Sequence, residues 1–560
     1  MNRTVLSFGG TVVALAAVTG LATLWAPDEA AESGDSAKSA AHKPVERSTL
    51  VCPRPTTSDV AETSYTAFTP KGGPGEKGSA ALYPAELADS EAPQGPGSDS
   101  KDDKDGKGGK GGKDEENDGG DKDSKGDDSK KGDNGRTDGK PTEEQGGTDG
   151  KKDGKKDGKP FLSLSSPGTP VTEDTSDPKA PALTGTADGP FAPGWTVQQT
   201  TSISAGAGRG LQGTSCSAPD TTFWFPGAST AEDRQDYVHL TNPDSTSAVV
   251  DLELYGKEGK IKAGGGAGEG ITVPPRSTVP VLLSTLTPEP VTNVTLHVTA
   301  RSGRVGAQVQ ASDRKVGGDW LPPAATPSPG AVLPGIPKDA TSVRLTVFAP
   351  SGHDADLTVK LAGRSGLISP AGHERLHVKA GMATTVDLKD LTQGEAGSLV
   401  LSPAEGDAEA PGIVAAARVL RGKGDKQESA FIPATQPVHK RATAADNSEK
   451  GSTLSLTAPK GEAKVRVTAS AGSGGGSPKS TTVTVKAHTT TAVTPPRPAG
   501  GKGTYAVTVE RLSGGPLYAS RMLEREQSGL PAFTLQALPD DGSTVAVPES
   551  AQDLSVLNDD

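Results

Sequence analysis

The stretch Ile271-Thr272-Val273-Pro274-Pro275-Arg276-Ser277-Thr278 decides how this chain is built. Its first three residues alternate between apolar and polar, and a proline turn follows, which is typical of a half-buried β-strand that ends in a turn. The same spacing recurs at residues 376–383, Leu-His-Val-Lys-Ala-Gly-Met-Ala, and at residues 483–490, Val-Thr-Val-Lys-Ala-His-Thr-Thr. We therefore expect three copies of one β unit.

Each copy ends in a similar way. The closing motifs are Trp320-Leu321-Pro322, Phe431-Ile432-Pro433 and Leu530-Pro531. Their spacing is close to the roughly 100 residues of an immunoglobulin-like sandwich. The predicted class is all-β, with tandem immunoglobulin-like β-sandwiches after a single N-terminal transmembrane helix and a long disordered insert. The predicted parts are sandwiches at 191–327, 328–437 and 451–540, a linker at 438–450 and a tail at 541–560.

A charged run interrupts the chain before these units. Residues 101–160 hold 16 Lys or Arg, 18 Asp or Glu and 16 Gly, with no Ala, Val, Ile, Leu, Met, Phe, Trp, Tyr or Cys. Such a segment cannot offset its chain entropy by burying apolar surface. We expect a disordered Lys/Asp/Gly-rich insert over residues 71–190. Residues 48–70 read as strands that belong to the first sandwich.

The N-terminus carries an apolar run. Residues 5–26 contain no charge, Arg3 precedes them, and the run is long enough for a helix that crosses a bilayer. Because the run exceeds a usual signal core and lacks a good cleavage site, residues 1–27 are predicted to be a single-pass membrane anchor. A cleaved signal peptide, with secretion, is the alternative. Residues 28–47 are a predicted disordered linker, and the C-terminal region is expected outside the cytoplasm.

The chain has two cysteines, Cys52 and Cys216. An oxidising compartment allows them to pair, and we expect a disulfide, with two free thiols as the alternative. If the bond forms, the insert is a loop tethered to the first sandwich. Without it, the insert is a stalk between the membrane and the sandwiches.

Composition argues against several function classes. The chain has 72 Gly, 46 Pro and only 3% aromatic residues, which does not suit one large enzyme core. Its net charge of −12 argues against nucleic acid as a partner, because binding phosphates needs a basic surface. We expect no enzyme activity, no catalytic residue, no cofactor and no metal.

One motif matches a zinc-protease signature formally. His373-Glu374-Arg375-Leu376-His377 fits H-E-x-x-H, but that chemistry needs both histidines on one face of a helix. Here Leu376-His377-Val378 belongs to the recurring strand, where four residues separate the two histidines by about 13 Å. We therefore predict surface histidines and no zinc.

Three of the four tryptophans lie in or beside the first predicted sandwich: Trp195, Trp224 and Trp320. Exposed indoles suit stacking on sugars or burial in an interface. On a strand, Phe223 and Phe225 face one side and Trp224 the other. The tryptophans are a possible partner surface, and the alternative is that they fill sandwich cores.

Several short stretches resemble a family of actinobacterial membrane-anchored secreted proteins of unknown function. These are Leu50-Val51-Cys52-Pro53, Ala67-Phe68-Thr69-Pro70, Gly194-Trp195-Thr196-Val197, Cys216 with Phe223-Trp224-Phe225-Pro226-Gly227, and Leu240-Thr241-Asn242-Pro243. The resemblance implies an extracytoplasmic location and a β architecture, and it brings no catalytic residues.

Together these observations predict a non-enzymatic extracytoplasmic cell-envelope protein. It would bind or position a partner, either an envelope glycan or a membrane protein. A structural spacer or assembly factor is the alternative. An exported hydrolase with an unrecognised site is a further one.

Overall fold

The computed structural model describes residues 41–88, 158–406, 409–527 and 529–547. Its regular structure in these ranges is β-strand, apart from four short 3₁₀ turns. The predicted all-β class is therefore confirmed. The predicted anchor at 1–27 lies outside the described residues, as do most of the 28–47 linker, most of the charged run and the end of the 541–560 tail.

Strands are numbered in chain order from β1 (Ala41–Pro44) to β37 (Thr544–Val547). These two strands pair in antiparallel register and form a small unit of their own. The remaining described strands belong to one larger unit, Val45–Ser543. That unit contains four two-sheet sandwiches, which we number 1 to 4.

Sandwich 1 is built from the segments on either side of the charged run. Its strands are β2 (Arg47–Cys52), β3 (Ala61–Phe68), β4 (Ala80–Pro84), β6 (Leu162–Ser163), β7 (Val171–Thr175), β8 (Leu183–Asp188), β9 (Thr196–Ile203) and β10 (Gly210–Ser215). Their sheets are β2-β8-β4-β6 and β10-β9-β3-β7. Leu82, Leu183 and Trp195 pack in its core.

Sandwich 2 follows directly. Its strands are β11 (Thr222–Ala228), β12 (Arg234–Thr241), β13 (Ala248–Gly256), β14 (Gly259–Lys260), β15 (Ile271–Val273), β16 (Ser277–Leu282), β17 (Val294–Ser302), β18 (Gly306–Asp313) and β19 (Gly317–Leu321). Burial alternates along β13, as its sequence predicts. The short strand β5 (Glu86–Leu87), just before the charged run, adds in parallel to the edge of β16. Pro280 of β16 lacks the N–H that would extend this pairing.

Sandwiches 3 and 4 complete the unit. Sandwich 3 has β20 (Ala331–Ile336), β21 (Ala340–Phe348), β22 (Ala355–Ala362), β23 (Leu367–Ile368), β24 (Arg375–Val378), β25 (Ala383–Asp387), β26 (Gly397–Pro403), β27 (Val414–Arg421) and β28 (Glu428–Pro433). Sandwich 4 has β29 (Arg441–Asn447), β30 (Ser452–Ala458), β31 (Ala463–Gly472), β32 (Lys479–Val485), β33 (Thr489–Val493), β34 (Tyr505–Gly514), β35 (Tyr518–Gln527) and β36 (Leu530–Ala537).

All four sandwiches share one strand order. When β5, β14 and β23, which the four sandwiches do not all share, are left aside, the first, sixth, third and fourth strands form one sheet, which we call the A sheet. The eighth, seventh, second and fifth form the B sheet. This grouping differs from the ABED and CFG sheets of an antibody constant domain. The recurring sequence stretch is the fourth strand and the start of the fifth.

The sandwiches are joined in a closed ring. The eighth strands β10, β19, β28 and β36 contact one another in that order, and β36 contacts β10 again. The first strand of each sandwich packs on the B sheet of the next, with β2 on β18, β11 on β27, β20 on β35 and β29 on β9. We call each contact between successive sandwiches a joint. Joint 4–1 closes the ring.

Residues 48–70 pair with β8, β9 and β7 in sandwich 1, whereas the sequence predicted that they complete one sandwich at 191–327. The predicted insert, 71–190, is also too wide, because β4, β7 and β8 lie within it. Their few apolar side chains, such as Leu82, are buried in sandwich 1, although the charged run dominates the composition of the segment.

Two boundaries in sandwich 4 also differ from the prediction. The predicted linker at 438–450 contains β29, whose small residues Ala442 and Ala444 are buried in the core. Leu530 begins β36, whereas the motifs in sandwiches 2 and 3 end their strands. Counted from the start of the eighth strand, Phe533 corresponds to Trp320 and Phe431.

The predicted disulfide is present and joins Cys52, at the end of β2, to Cys216, just after β10. Leu82 and Leu162 pair across β4 and β6, so the chain leaves and re-enters sandwich 1 at neighbouring strands. Of the two alternatives for the charged run, the structure supports the tethered loop. It connects the third and fourth strands of sandwich 1.

Candidate functional site

The three tryptophans of the predicted partner surface are buried. Trp195 is 4% exposed, Trp224 9% and Trp320 0%. Trp195 lies in the core of sandwich 1, and Trp320 lies on β19 with its ring 5.4 Å from that of His239. The expectation of an exposed aromatic surface is therefore wrong for these residues, because packing within and between sandwiches covers each indole.

Trp224 lies in joint 2–3. Phe223 and Phe225 face the core of sandwich 2, as the strand alternation predicts, and Trp224 faces the opposite way. That face packs against Phe348, Ala383 and Val414 of sandwich 3. The sequence predicted the direction of Trp224 but not the sandwich that covers it.

A polar cluster adjoins Trp224 on the A sheet of sandwich 2. The His297 ring stacks on the indole with centroids 3.6 Å apart. Its Nδ1 lies 3.4 Å from Oε2 of Glu253, and its Nε2 lies 3.1 Å from the hydroxyls of Thr222 and Thr299. Carboxylate, imidazole and hydroxyl thus follow one another in the order of a nucleophilic relay.

Other groups already occupy the carboxylate of this cluster. Lys260 donates to Oε1 of Glu253 at 2.5 Å, and the Tyr255 hydroxyl donates to Oε2 at 2.8 Å. The bond from Lys260 is the main cause that lowers the pKa of Glu253. Burial lowers the pKa of His297, and this outweighs the opposing effect of Glu253. A neutral imidazole beside an ionised, well-bonded carboxylate is the resting state at neutral pH.

The last three residues of the H-E-x-x-H motif, Arg375 to His377, lie on a strand. Arg375–Val378 is β24, and His377 points out of the sandwich with Asp354 and Asp356 at 3.4 Å and 2.9 Å. Two main-chain N–H groups lower the pKa of the exposed Glu374. Within the four described ranges, no group of three or more His, Cys, Asp or Glu side chains is arranged to hold a metal ion.

Arg209 connects three sandwiches at the turn before β10. Its Nη2 donates to the main-chain oxygens of Lys315 at 2.9 Å, Gln427 at 3.3 Å and Asp425 at 3.5 Å. Lys315 lies in the turn between β18 and β19, and Asp425 and Gln427 lie in the turn between β27 and β28. One guanidinium therefore holds the turns before three eighth strands together.

Buried polar groups hold the joints near the eighth strands. The Asp319 carboxylate accepts hydrogen bonds from the Gly213 N–H at 2.9 Å and from the Thr534 hydroxyl at 2.9 Å, which connects sandwiches 1, 2 and 4. Burial raises the pKa of Asp319 well above its usual value. Only glycine fits at position 213, because a Cβ there would lie 2.6 Å from the Thr534 methyl group.

Sequence reasoning did not identify Arg209 or Asp319 as joint residues. The only signal was the polar, Gly- or Lys-rich turn before each closing strand. A turn of that kind is equally typical of a solvent-exposed hairpin.

These contacts define the class of the protein: an all-β chain whose four sandwiches of identical strand order close into a ring. The chain belongs to DUF5719, a family of unknown function, whose model matches residues 171–496, more than half of the chain. The match begins at the fifth strand of sandwich 1 and ends beyond the fifth strand of sandwich 4. Neither a curated protein nor a solved structure matches it.

No helix of sufficient length and apolar character to cross a membrane occurs in the part of the chain that the structure describes. The predicted anchor lies outside that part.

Proposed function

We propose that this chain is a non-enzymatic extracytoplasmic cell-envelope protein that binds or positions a partner at the cell surface. The partner is an envelope glycan or another membrane protein. The observation that carries the proposal is the closure of the ring. Four sandwiches held through buried polar contacts present a wide surface in a fixed arrangement, which is what a positioning module requires.

The first and last residues of the larger unit are adjacent, which favours attachment of the ring at one place. The Val45 N–H donates to the carbonyl of Ser543 at 3.1 Å. A chain anchored through residues 1–27, as the sequence predicts, would hold the ring at this place and leave the remaining surface to a partner. The resemblance to actinobacterial membrane-anchored proteins favours the same arrangement, with a retained anchor preferred over a cleaved signal.

Crosslinking of the full-length chain in its own cells tests the proposal. We expect one envelope protein or one glycan fraction to be enriched, compared with an unrelated anchored β-protein expressed at the same level. An equal background in both samples would contradict partner binding and would favour a structural spacer or assembly factor.

An exported hydrolase is a second candidate, and the order Glu253, His297, Thr222 is the observation that favours it. The purified chain would then hydrolyse an activated ester, and both Thr222→Ala and His297→Gln would abolish the reaction. Hydrolysis that survives both substitutions, or that is absent from the unmodified chain, would exclude this relay. The occupied carboxylate of Glu253 makes binding the better-supported function.

A further inference from the structure

The turns gathered by Arg209 are rich in basic residues. In the turns at residues 204–209, 314–316 and 422–427, the charged residues are Arg209, Arg314, Lys315, Lys423, Lys426 and one acid, Asp425. We call the five basic residues the turn patch. The complete chain carries a net charge of −12, and these turns carry an excess of basic residues even when the neighbouring acids Asp233, beside Lys315, and Glu428, beside Arg209, are counted.

Hydrogen bonds make the turn patch compact. One nitrogen of Arg209 contacts main-chain oxygens of residues 315, 425 and 427, so the main chains of turns from sandwiches 2 and 3 lie within a few ångströms of each other. Gly318 donates its N–H to the Arg209 carbonyl at 3.0 Å, which fixes the turn of sandwich 1 against sandwich 2. The patch exists only because the ring brings these turns together.

Most of this charge is available to a partner. Arg314, Lys315, Lys423 and Lys426 are exposed. Lys315 lies 3.5 Å from Asp233 and remains 78% exposed. Among the residues the structure describes, Arg314, Lys423 and Lys426 have no carboxylate within ion-pair distance. Exposed pairs such as Lys315 with Asp233 are weak and can exchange for another anion.

We propose that the turn patch binds a polyanionic envelope glycan, a polymer that carries repeated phosphate or carboxylate groups. This inference rests on the proposed function and names the chemistry of the partner. Several flexible ammonium groups around a fixed guanidinium suit an extended polymer whose anionic groups recur along its length. The charge excess of the patch also raises the association rate with such a polymer.

A matched pair of variants tests the inference on the full-length chain in detergent. The patch variant carries Lys315→Gln, Lys423→Gln and Lys426→Gln. The control variant carries Lys460→Gln, Lys464→Gln and Lys479→Gln, three exposed lysines of sandwich 4. Both lose the same charge, so a general electrostatic effect changes both equally.

The probes are inorganic polyphosphate, polygalacturonate and neutral dextran. We expect polyphosphate or polygalacturonate to bind the unmodified chain and the control variant, and to bind the patch variant about tenfold or more weakly. In the patch variant, the slope of the logarithm of the binding constant against the logarithm of the salt concentration should decrease in magnitude by about one for each patch lysine that contacts an anion. Preference between the two polymers distinguishes phosphate from carboxylate chemistry.

Equal loss in both variants, binding of neutral dextran, or no polyanion binding would overturn the inference. So would patch-dependent binding to phosphatidylglycerol vesicles without binding to either polymer, because a membrane surface would then be the ligand. The crosslinking experiment is independent of this result. If the patch variant recovers the partner in cells as well as the unmodified chain does, the proposed function stands and only the binding role of the turn patch is refuted.

Discussion

The guanidinium of Arg521 in sandwich 4 lies 3.2 Å from the side-chain oxygen of Gln198 in sandwich 1, across 323 positions of sequence. Arg521 also donates to the carbonyl of Asp446 and to the side-chain oxygen of Gln536. It is fully buried, and burial lowers its pKa to about 10, so it stays charged at neutral pH. A buried charge needs such hydrogen-bond partners. This contact gives joint 4–1 its geometric specificity.

Arg521→Met should destabilise joint 4–1 strongly. The substitution leaves the Asp446 carbonyl and the Gln536 side-chain oxygen buried without their donor, whereas Gln198 still accepts from the Asp446 N–H. Each unsatisfied buried acceptor costs about 1–3 kcal/mol. Urea unfolding of the variant should show this decrease in the free energy of unfolding. Limited proteolysis should cut within the strands that form joint 4–1, such as β9 of sandwich 1 and β29 of sandwich 4, before it cuts elsewhere.

Arg466→Met, also in sandwich 4, is the matched control. Arg466 contacts the Glu510 carboxylate at 2.9 Å, and the two side chains are 47% and 39% exposed, so its loss should cost about 1 kcal/mol or less. Equal effects of the two substitutions would show that the contact between Arg521 and Gln198 does not close the ring.

Acid should weaken sandwich 2 through His239. Burial, with a smaller contribution from Arg54, lowers the pKa of His239 to about 4. The unfolded chain, with a histidine pKa near 6.5, binds the proton first. Above about pH 6.5 His239 is neutral in both states and does not lower the free energy of unfolding. As the pH decreases to about 4, its protonation in the unfolded chain lowers that free energy by about 3 kcal/mol. His239→Phe should remove this part of the pH dependence.

Urea unfolding at a series of pH values between 7 and 4 measures the difference between wild type and His239→Phe. His353→Gln, at an exposed histidine, should follow the wild-type curve. A difference between wild type and His239→Phe that stays constant with pH would contradict the assignment.

Trp224→Ala should open a cavity in joint 2–3 and cost about 3–5 kcal/mol. Because the Trp224 and Phe348 rings lie 5.4 Å apart, a double-mutant cycle with Phe348→Ala should give a coupling of about 0.5–1.5 kcal/mol. Trp195→Ala lies in another core and should add to Phe348→Ala without coupling. A cost below about 1 kcal/mol for Trp224→Ala would show that the joint does not depend on this indole.

The alternation of apolar and polar residues predicted sandwiches 2 to 4 because their strands follow one another without interruption. Sandwich 1 was missed as a separate copy because the charged run separates its third strand, β4, from its fourth, β6. No repeat of about 100 residues is left in the sequence there. The disulfide was predicted from cysteine count and compartment, and these require no knowledge of the strands.

Ring closure could not be predicted from the same pattern. Gln198 and Arg521 occupy strand positions where a polar residue normally faces water, and in this fold they face another sandwich. Trp224 shows the converse, because an apolar residue on the outer side of a strand suggests a surface and instead fills a joint. A pattern along one strand tells which residues share a face, and it cannot tell what covers that face.

Residues 89–157 should be dispensable for folding of sandwich 1. Replacing them with a Gly–Ser linker of about eight residues should leave the Cys52–Cys216 bond intact, because β4 and β6 already pair on either side of the segment. The shorter loop changes the entropy of the cross-linked unfolded chain by only about 0.5 kcal/mol. Removing the disulfide with Cys52→Ser and Cys216→Ser should instead lower the free energy of unfolding by about 5 kcal/mol, because the two cysteines are 164 residues apart in sequence. Non-reducing mass spectrometry and thermal unfolding of the two variants measure both effects. A shortened chain that loses more than about 2 kcal/mol or fails to form the bond would show that residues 89–157 contribute to the fold of sandwich 1.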